Sequence, residues 1–272
     1  MGLFVLESGP VDAPAVVFLH GGMMSGWTWE PVVERMAHHR CLVPDLPQYG
    51  KSFWEGPFEM SRAADAVAEL IRTRVRRGRA HLVGFSLGAQ VGVQVLATAP
   101  QVVDRAVLSS AFVNTMPAPQ VTRRVAGAFA RSDLFRWMLI TRHWDARHAA
   151  KHQSYEEDAR LNSGTQFAHI AAASAGFTLP NGLDQSHAPT LFVAGGKELR
   201  LVRRSAAALA QSMPNAVNRV ALGMGHNWPL SNPDLFSRTV DSWLRDADLP
   251  HELEPLASRR QPSTESRAES LD

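Results

Sequence analysis

Gly84-Phe85-Ser86-Leu87-Gly88 sits between a short apolar run, Ala80-His81-Leu82-Val83, and a small-residue segment, Ala89 to Ala99, that reads as a helix. A Gly-x-Ser-x-Gly between strand and helix marks a turn so tight that a Cβ at either glycine position would meet neighbouring backbone. The turn holds its serine in a strained conformation, with the hydroxyl standing clear of the sheet. The next N–H, that of Leu87, opens the helix and points into the same space, where it can hold an oxyanion. Ser86 is therefore the candidate nucleophile. A glycine-bounded turn with an idle serine is the competing reading, and the partners found for Ser86 decide between them.

Ala15-Val16-Val17-Phe18-Leu19 is an uninterrupted apolar run, as expected for a strand buried on both faces. It ends in His20-Gly21-Gly22. Trp29 to His38 has helical spacing of Trp29, Val32, Val33 and Met36, with Pro31 in the first turn. Arg40 to Pro44 reads as the next strand, and Ser61 as the cap of a helix reaching Arg77. Arg105 to Ser110 is another strand. Alternating strands and helices argue for a mostly parallel α/β sheet with helices on both faces.

From about Asn114 to Asp184 the alternation stops and only helical-looking stretches remain. A stretch of that length without strands is uncommon unless it is functional, so it reads as a cap over the sheet's C-terminal edge, with a separate helical domain as the alternative. Strands resume at Thr190 to Ala194 and Val217 to Ala221, and a last helix starts at Asn232 or Asp234 and runs through Leu244. From Pro250 the chain is polar and charged, as in a disordered tail. The expected organisation is a core over 1–113 and 185–249, a cap over 114–184 and a tail over 250–272.

The 272 residues can bury a full core without disulfides or metals. No apolar run reaches about eighteen residues, and Met1 to Glu7 lacks the features of a signal peptide. The single cysteine, Cys41, cannot form an internal disulfide and reads as core, so a cytoplasmic location is expected. A net charge of +2 is too small to argue for nucleic acid. The expected partner is a small-molecule substrate, with no membrane insertion and with a homodimer left open. Arginines and histidines of the cap, such as Arg142, His143, Arg147 and His148, read as a solvated face or as a funnel for an anionic substrate.

A serine hydroxyl needs a base within reach and a third group to orient that base. Of the histidines downstream of Ser86, only His226 follows a late strand, in Gly223-Met224-Gly225-His226-Asn227-Trp228. The acid belongs just past the preceding strand, where Gly195-Gly196-Lys197-Glu198 offers Glu198 as the one immediate carboxylate. A solvated glutamate beside Lys197 is the competing reading. Asp104 and Asp184 precede their strands and fall at the wrong edge. The loop after the early strand supplies a second oxyanion donor, Gly22 first and Met23 second, while His20 reads as holding that loop. Met24, Trp27, Met224 and Trp228 are candidate pocket residues. His148 and His152 lack a third ligand nearby, so no metal is expected, and no cofactor.

Taken together, His20-Gly21-Gly22, Pro44 to Ser52, Gly84 to Gly88, Gly195-x-x-Glu198 and Gly225-His226 resemble the α/β-hydrolase fold superfamily over about residues 3 to 248. The resemblance implies a doubly wound sheet with a helical cap inserted after the sixth strand. It also implies Ser86 as nucleophile, His226 as base, Glu198 as acid, and Gly22 and Leu87 as oxyanion donors. Two departures stand out: superfamily members usually carry aspartate at the acid position, and often Gly-His-Gly or Gly-Tyr-Gly where Gln48-Tyr49-Gly50 stands. Members that use a nucleophilic aspartate, such as haloalkane dehalogenases and epoxide hydrolases, are disfavoured by Ser86. The expected activity is hydrolysis of a small to medium carboxylic ester through an acyl-enzyme. C–C bond cleavage by the same Ser/His pair, or non-catalytic ligand binding, are the alternatives.

Overall fold

A computed structural model describes residues 2–114 and 165–255 and, between them, positions 120, 121, 124, 125, 128, 158 and 161. Eight strands form one sheet: β1 (Val5–Ser8), β2 (Ala15–Leu19), β3 (Arg40–Pro44), β4 (Ala80–Phe85), β5 (Val103–Ser109), β6 (Thr190–Gly195), β7 (Ala216–Ala221) and β8 (Leu253–Pro255). Their order is β1-β3-β2-β4-β5-β6-β7-β8. The six inner strands are parallel, and β1 and β8 close the two edges antiparallel. Among the described residues the helices used below are α1 (Glu30–Arg35), α2 (Met60–Arg74), α3 (Leu87–Thr98), α4 (Thr165–Ala175), α5 (Arg200–Gln211), α6 (Trp228–Ser231) and α7 (Pro233–Leu244).

The continuous apolar runs are explained by two cores, one on each face of the sheet. Along β2, Val17 and Leu19 join the core beneath α2, α3 and α5, while Val16 and Phe18 join the core beneath α1 and α7. The chain steps from β2 outward to β3 and then back across to β4, so the winding direction reverses between β2 and β4. Ligands of open α/β sheets sit outside the carboxyl ends of strands at such a reversal. Gly22 follows β2 and Ser86 follows β4, so both stand at that crevice.

The elbow glycines are required by packing. A Cβ on Gly88 would lie 2.2 Å from the Leu19 carbonyl oxygen, and one on Gly84 would lie 2.7 Å from the Gly88 carbonyl oxygen. Only glycine lets α3 sit this close to β2 and β4.

Several expectations are corrected. Residues 253–255 belong to the sheet: β8 pairs with β7, Leu253 is buried in the second core, and just before it Leu222 donates its N–H to Glu252 O. One apolar residue in a polar stretch left no strand signal; residues 256–272 lie outside the described residues. Helix α2 starts at Met60 with Glu59 as its N-cap, so Ser61 lies within the helix and caps nothing. Five strands precede residue 114, so the long insertion follows the fifth described strand and not the sixth. The cause is that only one short strand, β1, precedes β2. Most of the expected cap lies outside the described residues. Its final part, α4, lies against the core through Ile170, and His169 Nε2 meets the Phe58 carbonyl at 3.0 Å.

Candidate active site

Ser86 is the residue between β4 and α3. Its backbone has φ 53° and ψ −112°, a conformation that costs a non-glycine residue about 1–3 kcal/mol. The turn is pinned by Ser86 N–H donating to Ser109 O at 2.9 Å and by Gln90 N–H donating to Ser86 O at 3.1 Å. Leu87 opens α3, so its N–H has no carbonyl one helical turn earlier to bond.

His226 lies in the loop between β7 and α6 and reaches Ser86 Oγ with Nε2 at 3.1 Å. Its Nδ1 meets Glu198 Oε1 at 2.6 Å. A carboxylate only accepts, so Nδ1 carries the proton and Nε2 presents its lone pair to the serine. The Glu198 side chain is 2% exposed, while that of His226 is 47% exposed. The second glutamate oxygen accepts from Ser110 Oγ at 2.9 Å and from Gly195 N–H at 2.6 Å. Three donors therefore fix this carboxylate, which is why a longer glutamate can stand still there.

Ser110 is one of the residues that sequence reasoning missed. It follows β5 with φ 60° and donates its own N–H to Val193 O. The Ser109-Ser110 pair closing an apolar strand is the signal that could have found it.

The loop after β2 is built around His20 and Asp45. His20 is fully buried, accepts from Leu46 N–H with Nε2 at 2.9 Å and donates from Nδ1 to Gly21 O at 2.8 Å. Burial pushes its pKa down, so it bridges the loops after β2 and β3 as a neutral ring. Asp45 accepts from Gly26 N–H at 2.7 Å and from Lys51 N–H at 2.8 Å. Together they set Gly22 beside the start of α3: a Cβ on Gly22 would come 3.9 Å from Leu87 Cβ. Met23 takes φ 65° in the same loop.

Ser86 and His226 open into a cavity of about 400 Å³. Its walls include Met23, Met24, Phe85, Phe112, Phe167 and Ile170, with α4 forming one side. Of the four expected pocket residues, Met24 lines it. Trp228 is fully buried in the second core, with its indole N–H donated to Ser109 Oγ at 2.8 Å. Met224 packs against that same core. Trp27 turns away to donate its indole N–H to Asp158 Oδ2 at 2.7 Å, and Ser25 Oγ donates to the same oxygen at 2.9 Å. Asp158 was not anticipated. It is buried, and burial pushes its pKa up to about 6 against the pull of those two hydrogen bonds.

Cys41 is buried and burial pushes its thiol up to about 12, so it is an inert core residue. Among the described residues no helix is long and apolar enough to cross a membrane.

The chain is similar to known proteins over most of its length. An AB hydrolase superfamily protein of Gibberella zeae is 25% identical over 256 residues, covering 89% of this chain and 84% of that one. A pimeloyl acyl-carrier-protein methyl ester esterase of Pectobacterium atrosepticum is 25% identical over 239 residues, covering 83% and 92%. Among solved structures, MGS-M2, an alpha/beta hydrolase enzyme from a Medee basin deep-sea metagenome library, superposes with a TM-score of 0.73 at 18% identity, over 92% of this chain and 96% of that one. Residues 16–239 match the model of the alpha/beta hydrolase family, and the chain is a hydrolase belonging to that family.

Proposed function

We propose that this hydrolase cleaves a small to medium carboxylic ester with an apolar acyl group through an acyl-enzyme on Ser86. The observation that carries the reading is the unbroken hydrogen-bonded chain from Glu198 through His226 to Ser86, at 2.6 and 3.1 Å, opening into the apolar cavity. The methyl ester esterase among its relatives supports the same substrate class.

In this mechanism the Ser86 oxygen attacks the ester carbonyl carbon as its proton passes to His226 Nε2. The carbonyl π pair moves onto oxygen, and the N–H groups of Leu87 and Gly22, with Met23 as the alternative donor, receive that oxyanion. The intermediate collapses, the bond to the alcohol oxygen breaks, and His226 returns its proton to the leaving alcohol. Water then repeats the sequence on the acyl-enzyme, releasing the carboxylic acid and restoring Ser86. Glu198 keeps its charge throughout, orienting the imidazole and stabilising it when cationic. Segment 114–184 acts as a cap, with α4 as the wall it contributes to the acyl site. A buried cysteine with no disulfide demand fits a cytoplasmic setting.

Labelling with a fluorophosphonate, mapped by mass spectrometry, tests the mechanism. The expected result is one label on Ser86, absent in Ser86→Ala and strongly slowed in His226→Ala. A folded wild-type chain that takes no label would sink the acyl-enzyme.

A further inference from the structure

The opposite edge of the sheet carries a second cluster of chemically capable side chains. His38 and His39 lie between α1 and the first residue of β3, and Asp241 lies on α7, 203 residues from His38. Both imidazoles turn Nε2 toward one carboxylate oxygen: His38 Nε2 is 2.9 Å and His39 Nε2 is 3.3 Å from Asp241 Oδ1. All three donor atoms lie within 4.8 Å of one another. The other oxygen, Oδ2, is taken by Arg245, the residue that caps α7 one turn later, which holds the carboxylate with Oδ1 toward the histidines.

We infer that His38, His39 and Asp241 form a binding site for a divalent transition-metal cation of the zinc type. Donor–metal bonds of about 2.0–2.2 Å place neighbouring donors roughly 2.9 Å apart in an octahedron and roughly 3.4 Å apart in a tetrahedron. The two nitrogen–oxygen separations fall within that range, and the nitrogen–nitrogen separation, under 4.8 Å, is one that a swing of the exposed His38 ring can close around an ion. Two imidazoles and one carboxylate suit zinc, cobalt, nickel or copper, and not the all-oxygen preference of calcium or magnesium. His38 is exposed and His39 is buried, so the remaining coordination positions face solvent and take water.

A second observation concerns the far side of the His39 ring. Its Nδ1 is buried and makes no hydrogen bond, while the Pro14 carbonyl lies beside the ring. As long as Nε2–H donates to Asp241, Nδ1 is a bare acceptor with no donor to meet, a costly arrangement in a buried site. A metal on Nε2 takes the lone pair there and leaves the proton on Nδ1, where a carbonyl is the usual outer partner of a ligating histidine. The bare nitrogen becomes a donor with an acceptor at hand.

The expectation of no metal rests on spacing within single stretches, and no single stretch carries this set of ligands. This triad is assembled only by the fold. It precedes β3, whereas Ser86 follows β4 in the same parallel sheet, so the two sites occupy opposite edges. The bound ion fastens α7 to the turn before β3 and takes no part in turnover.

The test is a Co²⁺ titration of the full, untagged chain followed by visible absorption, with Zn²⁺ as competitor, on wild type, His38→Ala and the His148→Ala/His152→Ala double variant. The expected result is one Co²⁺ per chain with visible bands that Zn²⁺ bleaches. His38→Ala should lose more than about 10-fold in affinity, and the double variant should bind as wild type does. Zn²⁺ should raise the melting temperature of wild type and not of His38→Ala, each read against its own metal-free value. A wild type that binds no Co²⁺ would reduce the cluster to an ion pair. Undiminished binding by His38→Ala would put the ion elsewhere. Either outcome overturns the inference.

Discussion

The two edges of the sheet are built from the same strands and differ in how much backbone strain they carry. At the C-terminal edge, Met23, Gln48, Ser86 and Ser110 all have positive φ, so the loops after β2, β3, β4 and β5 each hold one left-handed non-glycine residue, with the glycines Gly50 after β3 and Gly223 after β7 beside them. At the N-terminal edge the left-handed positions are the glycines Gly9, Gly78 and Gly182, with Asp246 after α7 the exception. Carboxylates divide the same way. Glu7, at the N-terminal edge, is held below the usual carboxylate range by its hydrogen bond to Arg40, with Arg74 adding to it. Asp158, over the C-terminal edge, is pushed up by burial. One edge relieves strain and pairs charge, and the other retains both costs where the candidate nucleophile and its cavity lie.

The sharpest way to break this contrast is Ser86→Gly. Removing the hydroxyl should lower ester turnover by on the order of 10,000-fold or more. The same change should raise stability by about 1 kcal/mol, because glycine tolerates φ 53° without strain. Paired assays of turnover and urea unfolding read both signs. A variant that is inactive and also less stable would show that the edge is not strained.

Glu198→Gln comes next. It keeps the shape and the acceptor for His226, but it puts an NH2 group against Ser110 or Gly195, or presents the wrong tautomer to the ring. A loss of roughly 1,000- to 10,000-fold in kcat, with little change in KM, is expected from steady-state kinetics. A loss under about 10-fold would remove Glu198 from the mechanism.

How much of this was legible in the chain depends on the range of the interaction. Val16 to Leu19 and the elbow announce themselves because burial on both faces and a tight turn leave local signatures. Glu198 was readable from its position after a strand, whereas Ser110, which holds its second oxygen, is 88 residues away and follows no spacing rule. Asp158 meets Trp27 across 131 residues, and periodicity cannot encode such a meeting. β8 was hidden for another reason. An edge strand needs backbone pairing and one buried side chain, and Leu253 alone does not make a pattern.

That short strand yields the third test. Truncation after Ala247 removes the β7 partner, the burial of Leu253 and the ion pair between Arg238 and Glu252. A loss of about 2–3 kcal/mol is expected in denaturant unfolding, most of it from the buried leucine. An unchanged midpoint would mean that the sheet ends at β7.

A change of pH separates the charge arrangement of the two edges from their backbone strain. Asp158 has a folded-state pKa of about 6 against an ordinary value of 3.8. The native chain therefore holds a proton there that the unfolded chain has already released, and folding is favoured by protonation. The resulting stability is fully present below the ordinary value and is lost as pH rises through about 6. Asp158→Asn keeps an oxygen to accept from Ser25 and Trp27 without the buried charge. It should leave stability nearly unchanged near about pH 4 and raise it by up to about 3 kcal/mol near about pH 7.5, as read from urea midpoints at the two values. Glu7→Gln should do the reverse: stability gained from its arginine pairs is present above the ordinary carboxylate range and disappears as pH falls, so that variant loses most at the higher pH. Opposite signs for the two substitutions at the same pH would show that charge, and not only backbone strain, is spent at one edge and conserved at the other. Matching signs would confine the contrast to the backbone.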